Sequence, residues 1–227
     1  MTLIVMNKKE QLFTGIYLAF QLLFLPTILS HLVEFLSLSL NVAQLNFVFF
    51  TINFLCTIGI CRKFMDSNLR RAVKNPDNLL ITVLLTLCFY HFASLAVDSV
   101  IFWLMPDFYN VNDISIGAMV TSDFWLTATA TVLLVPLTEE ILYRGLLFGV
   151  LYRRSRIAAY LISTLIFAAI HILGYIQQHT AKQLLLCLLQ YIPAGLCLGW
   201  AYKRSGTLFA PVLVHSIINA FGIATMR

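Results

Sequence analysis

Seven blocks of predominantly apolar residues run through the 227-residue chain, each near the ~20 residues that an α-helix needs to cross a bilayer. They fall at approximately 11–30, 42–61, 79–105, 124–152, 157–176, 183–202 and 207–226, and the third and fourth are long enough to tilt or to project beyond the bilayer. Little is left to cover a water-facing globule. Apolar residues make up 60% of the chain and charged residues 11%, against about 45–50% and about 25% in soluble domains. With 10 Gly, 6 Pro and 5 Cys, the same numbers exclude a disordered chain, a collagen and a disulfide scaffold. The expectation is an all-α polytopic membrane protein, a bundle of about seven transmembrane helices, with six or eight as the alternatives. No repeat or linker divides it, so residues 1–227 read as a single integral membrane domain.

The basic residues alternate with these blocks. Lys8 and Lys9 precede the first. Arg62, Lys63, Arg70, Arg71 and Lys74 follow the second, Arg153, Arg154 and Arg156 the fourth, and Lys203 and Arg204 the sixth. Twelve of the 15 basic residues therefore fall on one face, while the other has Lys182, Arg227 and the acidic Glu34, Asp107, Asp113 and Asp123. By the positive-inside rule the chain is a multi-pass protein of the cell membrane with its N-terminus in the cytoplasm and its C-terminus outside. The pI near 9.0 has the same origin. No basic patch interleaved with aromatics suggests a nucleic-acid partner. The first block lacks the short apolar core and small-residue cleavage site of a signal peptide. Cys56, Cys61, Cys88, Cys187 and Cys197 lie in apolar blocks without a CxxC pair and read as small buried hydrophobes.

Ionisable groups at membrane depth cost at least about 2.5–3.5 kcal/mol each and mark functional sites by default. Block four contains Pro136-Leu137-Thr138-Glu139-Glu140-Ile141-Leu142-Tyr143-Arg144, block five Phe167-Ala168-Ala169-Ile170-His171, and block seven His215-Ser216-Ile217-Ile218-Asn219. Glu140 and Arg144 share a helix face and can pair, and Glu139 lies about 100° away. His215 and Asn219 share a face too. At 1.5 Å per residue Glu139 lies roughly 21 Å from Arg153, His171 roughly 22 Å from Arg156 and Asn219 roughly 22 Å from Arg204. Three helices thus place polar groups at matching heights. From Phe124 onward the only acidic residues are Glu139 and Glu140, so a carboxylate general base in this half is one of the two. Arg144 would hold one of them ionised. Pro136 reads as a helix kink, Phe167 as packing, and His31 and His91 as hydrogen-bonded interior or interfacial groups.

Glu139-Glu140-x-x-x-Arg144, Phe167-x-x-x-His171 and His215-x-x-x-Asn219 also resemble, in order and spacing, the three motifs of the CPBP intramembrane proteases (CAAX proteases and bacteriocin-processing enzymes), which include the type II CAAX prenyl endopeptidase. The resemblance covers about residues 124–227, the protease-like core. It implies an endopeptidase in which Glu139, helped by His171, activates a water, and His215 and Asn219 stabilise the oxyanion, with Glu140, Arg144 and Phe167 in support. The substrate would be a peptide or a membrane-associated protein that enters laterally from the bilayer or by a cavity open to the cytoplasmic side, and the role peptide maturation or bacteriocin self-immunity. A metal-free mechanism is favoured because HExxH is absent; zinc held by Glu139, His171 and His215 is the alternative. Two rival functions stay open on the residues: a peptide-binding immunity protein without catalysis, and a proton-coupled transporter, which the missing second copy of the polar set disfavours. Oligomeric state is not encoded in any readable pattern.

Overall fold

The computed structural model describes residues 2–226, and Arg227 of the expected outer face lies outside them. Ten helices in chain order, without a strand among the described residues, make this an all-α polytopic membrane protein. They are α1 (Lys8–Leu23), α2 (Leu25–Phe35), α3 (Val42–Ile60), α4 (Arg62–Lys74), α5 (Pro76–Leu104), α6 (Val111–Ser122), α7 (Phe124–Tyr152), α8 (Arg156–Leu173), α9 (Ala181–Ser205) and α10 (Phe209–Thr225).

All seven apolar blocks are helical, but they are not equivalent. Five helices (α3, α5, α7, α8 and α9) are long and apolar enough to cross a bilayer alone. The first block, expected as one unbroken span, is bent by 54° between α1 and α2 and counts as a sixth only if the pair crosses together. The break has a covalent cause: Pro26 opens α2 and cannot donate a backbone hydrogen bond to the turn before it. α10 has 17 residues and is the shortest of the seven. Two stretches expected as loops are also helical. α4 is amphipathic, burying Phe64, Asn68 and Ala72 at four-residue intervals while Lys63, Arg70 and Lys74 stay exposed. α6 packs beside α3 and α7.

Polar side chains at helix ends hold the basic end of the bundle. Asn7 caps α1 and forms a reciprocal pair with Glu10, whose second oxygen, Oε1, accepts the Phe64 N–H at 2.9 Å in the first turn of α4. Buried Asn68 accepts the Leu208 N–H at 2.7 Å, and Arg71 donates to the Gly206 carbonyl at 3.1 Å. Gly206, at φ 71°, supplies the left-handed turn that sends the chain from α9 into α10. Tyr202 donates to the Ile4 carbonyl, which seats Met6 in the core against Phe64 and Gly145.

Close helix approach depends on small residues, as expected where lipid tails are as apolar as leucine. α9 lies against both α5 and α8. A Cβ at Gly195 would sit 2.5 Å from Thr164 Cγ2, whereas one at Gly59 would meet nothing within 4 Å. Gly195→Ala is therefore expected to lower unfolding stability in detergent by about 1–3 kcal/mol. Gly59→Ala should be neutral or stabilising by up to about 1 kcal/mol. Equal thermal shifts for the two variants would contradict this packing.

Candidate active site

α7 carries the acidic pair, and its backbone departs twice from the ordinary helical register. Ala130–Leu134 and Ile141–Phe148 are π-helical, with the α-helical turn Val135–Glu140 between them. Such wide turns are uncommon and concentrate at functional sites. Neighbouring carboxylates leave the helix in different directions, as their adjacency requires. Glu139 lines a cavity together with Thr131 and Val135 from the preceding turns, while Glu140 is fully buried on another side.

Glu140 is the hub of a buried polar network. Its Oε1 accepts from Arg144 Nη1 at 3.0 Å and lies 2.9 Å from His215 Nδ1. Both carboxylate and guanidinium are completely inaccessible to solvent. An ionised carboxylate only accepts, so Nδ1 of His215 carries the shared proton and its Nε2 is left for other partners. Arg144 also donates from Nη2 to the Gly195 carbonyl at 3.4 Å. That bond ties α7 to α9 at the residue where the missing side chain lets α9 approach Thr164 of α8.

Phe167 is more than filler. Its ring lies 4.4 Å from the Arg144 guanidinium carbon, 4.8 Å from the His171 ring, 5.8 Å from His215 and 5.7 Å from Tyr143, measured to ring centroids. It packs against the cation and against both imidazoles. One turn later, His171 Nδ1 donates to the Phe167 carbonyl at 2.7 Å, because a carbonyl can only accept. In the neutral ring this leaves Nε2 as an unprotonated acceptor.

Glu139, His171, His215 and Asn219 all line one cavity of about 890 Å³. The sequence places these four at similar depth, and the fold brings them together from α7, α8 and α10. Glu139 Oε2 is buried without a hydrogen-bond partner among the described residues. Asn219 donates from Nδ2 to the Thr131 carbonyl at 2.8 Å, across the α7–α10 contact.

The remaining wall was not legible in the motifs. Tyr191 of α9 stacks on His171 at 4.2 Å, and its hydroxyl donates to Asn110 Oδ1 at 3.3 Å. Asn110 donates to Gln190 at 2.7 Å, and Gln190 donates to Asp98 at 3.0 Å. Asn110 is also the N-cap of α6, accepting from the Asn112 and Asp113 amides. His91 and Asp113 line the cavity as well, while His31 lies exposed 3.9 Å from Glu34. A tyrosine and two amides scattered among apolar residues carry no spacing signal; only the packing of α5, α6 and α9 joins them to the site.

The zinc alternative meets a geometric obstacle. Among the described residues, no group of three or more His, Cys, Asp or Glu side chains is arranged to hold a metal ion. The Nδ1 contacts of His215 and His171 with Glu140 and Phe167 leave both Nε2 atoms open, so they do not themselves bear against a metal. No chemical step is assigned to a metal ion.

Residues 121–221 match the family described as "Type II CAAX prenyl endopeptidase Rce1-like". That stretch contains all the motif residues, so the resemblance read from them is borne out there. Among curated proteins the chain is 31% identical over 95 residues to the UPF0177 protein YxdF of Lactococcus lactis subsp. lactis (strain IL1403), an alignment covering 42% of this chain and 47% of that one. It is 32% identical over 87 residues to the protein named "Putative membrane peptidase YdiL" of Bacillus subtilis (strain 168), covering 38% and 31%. It is also 36% identical over 101 residues to a 24.3 kDa protein of Escherichia coli, covering 44% of each. The chain thus spans less than half the length of each of these relatives. No solved structure matches significantly.

Breaking the buried pair should be far costlier than replacing it. Arg144→Leu is expected to lower stability by about 3–5 kcal/mol, because it strands a carboxylate beside His215. Combining it with Glu140→Gln should recover most of that loss. Denaturant unfolding in detergent checks both; a double variant as unstable as Arg144→Leu alone would contradict the network.

Proposed function

We propose that the protein is an intramembrane endopeptidase that hydrolyses a peptide bond with a water activated by Glu139. The observation that carries this reading is the convergence of Glu139, His171, His215 and Asn219 on a single cavity within the membrane-spanning bundle. The name of the Bacillus subtilis relative and the family match over residues 121–221 point the same way.

In this reading the unpartnered Oε2 of Glu139 takes a proton from water, and the resulting hydroxide attacks the carbonyl carbon of the scissile bond. Nε2 of His171 accepts the second hydrogen of that water and aims it, with the ring held by the Phe167 carbonyl and by Tyr191. Negative charge forms on the carbonyl oxygen, where Asn219 and the Nε2–H of protonated His215 donate. When the tetrahedral intermediate collapses, the C–N bond breaks and Glu139 passes its proton to the leaving amine. Water and one peptide bond are consumed, and a carboxyl and an amine are released. Glu140, Arg144 and Phe167 keep His215 in place throughout, and no nucleophilic Ser or Cys is required.

The substrate is a peptide or membrane-associated protein that reaches the cavity from the bilayer or from the cytoplasmic side, and the role is peptide maturation or bacteriocin self-immunity. We further propose that the basic end, where Arg71 meets Gly206 and Arg204 meets Thr82 of α5 at 2.8 Å, faces the cytoplasm.

Glu139→Gln keeps the shape of the side chain and removes the base. In liposomes carrying the purified protein, cleavage of a peptide library is expected to fall by about 10²–10⁴-fold, with an unchanged melting profile. Cleavage by the variant at the parent rate would sink the proposal.

A further inference from the structure

We propose that Pro136 is a positioning residue for Asn219, acting through the carbonyl oxygen of Thr131. The inference rests on the oxyanion role given to Asn219 above.

In the first π-helical stretch of α7 each amide donates five residues back, and the Val135 N–H goes to the Ala130 carbonyl. The same register assigns the next donor, at position 136, to the carbonyl of Thr131. That position is proline, which has no N–H. The wide-turn run therefore stops there, and α7 continues as an ordinary helix towards Glu139. The Thr131 oxygen loses its backbone donor in the interior of a membrane protein, where an unsatisfied carbonyl is costly. Asn219 fills that place from α10, with Nδ2 at 2.8 Å.

The consequence for the site is geometric. One N–H of the Asn219 amide is spent on Thr131, and this fixes the plane of the group. The second N–H and the amide oxygen are then held in set directions at the cavity wall, which Thr131, Val135, Glu139 and Asn219 share. A proline expected only to kink a helix instead leaves an acceptor open, and that acceptor anchors a side chain four residues along α10 from His215. Base and oxyanion donor are both referenced to the same two turns of α7.

Pro136→Ala is the direct test, because alanine suits a helix and restores an N–H that competes for Thr131. The expected result is a fall in kcat of about tenfold, of the order of one lost hydrogen bond, with KM within about twofold. In an Asn219→Ala background the same substitution should cost nothing further. A second readout needs no catalysis. Asn219→Ala should lower the melting midpoint of the parent by several degrees, since it strands the Thr131 carbonyl, and by less than half as much when residue 136 is alanine. Additive effects in the melting cycle would overturn the proposal, as would an unchanged kcat for Pro136→Ala in a parent that cleaves. If the parent cleaves no peptide but the melting effects are coupled, the Thr131 link stands and the hydrolytic reading falls instead.

Discussion

The buried Glu140–Arg144 ion pair is the constraint on which the rest of the site depends. Two charges placed where no water reaches them carry a large desolvation cost, offset only if each finds several well-aligned partners. That need draws in His215 from α10, the Gly195 carbonyl from α9 and the face of Phe167 from α8. Four helices are registered against one another by a single pair. A core of leucines alone would tolerate small slips between those helices; a pair with directional hydrogen bonds does not.

The pair also divides labour between adjacent residues. Glu140 engages Arg144 and His215 through Oε1, while Glu139 faces the cavity with an Oε2 that no described residue occupies. The aromatic rings play the matching part for the imidazoles. His171 is held at Nδ1 by its own helix and across its face by Tyr191, so its remaining nitrogen has one direction available. Tyr191 is in turn held by Asn110, Gln190 and Asp98, and the orientation of a ring on α8 is therefore linked to the start of α6 and to α5.

Much of this was legible before any coordinates, and the reasons differ by residue. The apolar blocks located the membrane-crossing helices because a bilayer imposes length and composition together. The four-residue spacing of Glu140 and Arg144 foretold their contact, and the adjacency of Glu139 foretold its divergence. Other features had no local signal. The π-helical turns of α7 follow from packing on every side of the helix, which no periodicity of 3.6 announces. Helix α4 did have a readable stripe in Phe64, Asn68 and Ala72, but the density of basic residues around it masked the period. Asp98, Asn110, Gln190 and Tyr191 come from three helices and meet only in the folded bundle. Pro136 was read as a helix kink, whereas α7 runs on through it with a change of register, and the use of its missing N–H depends on a residue 83 positions away, at Asn219.

The ring of Phe167 covers the Arg144 guanidinium. Arg144 lies against it out of reach of solvent, and among the described residues the cavity wall includes Asp98, Asp113 and Glu139 but no lysine or arginine. The strongest positive charge of the site is thus hidden from whatever occupies the cavity. On the hydrolytic reading this bears on egress rather than on bond breaking. Cleavage would create a carboxylate beside Glu139, where like charges at close range in a poorly hydrated space repel, and His215 is the one cation that reading sets against it. On that reading release of the new acid end would depend on His215 giving up its charge once the bond is broken, while Asp98, Asp113 and Glu139 oppose its staying.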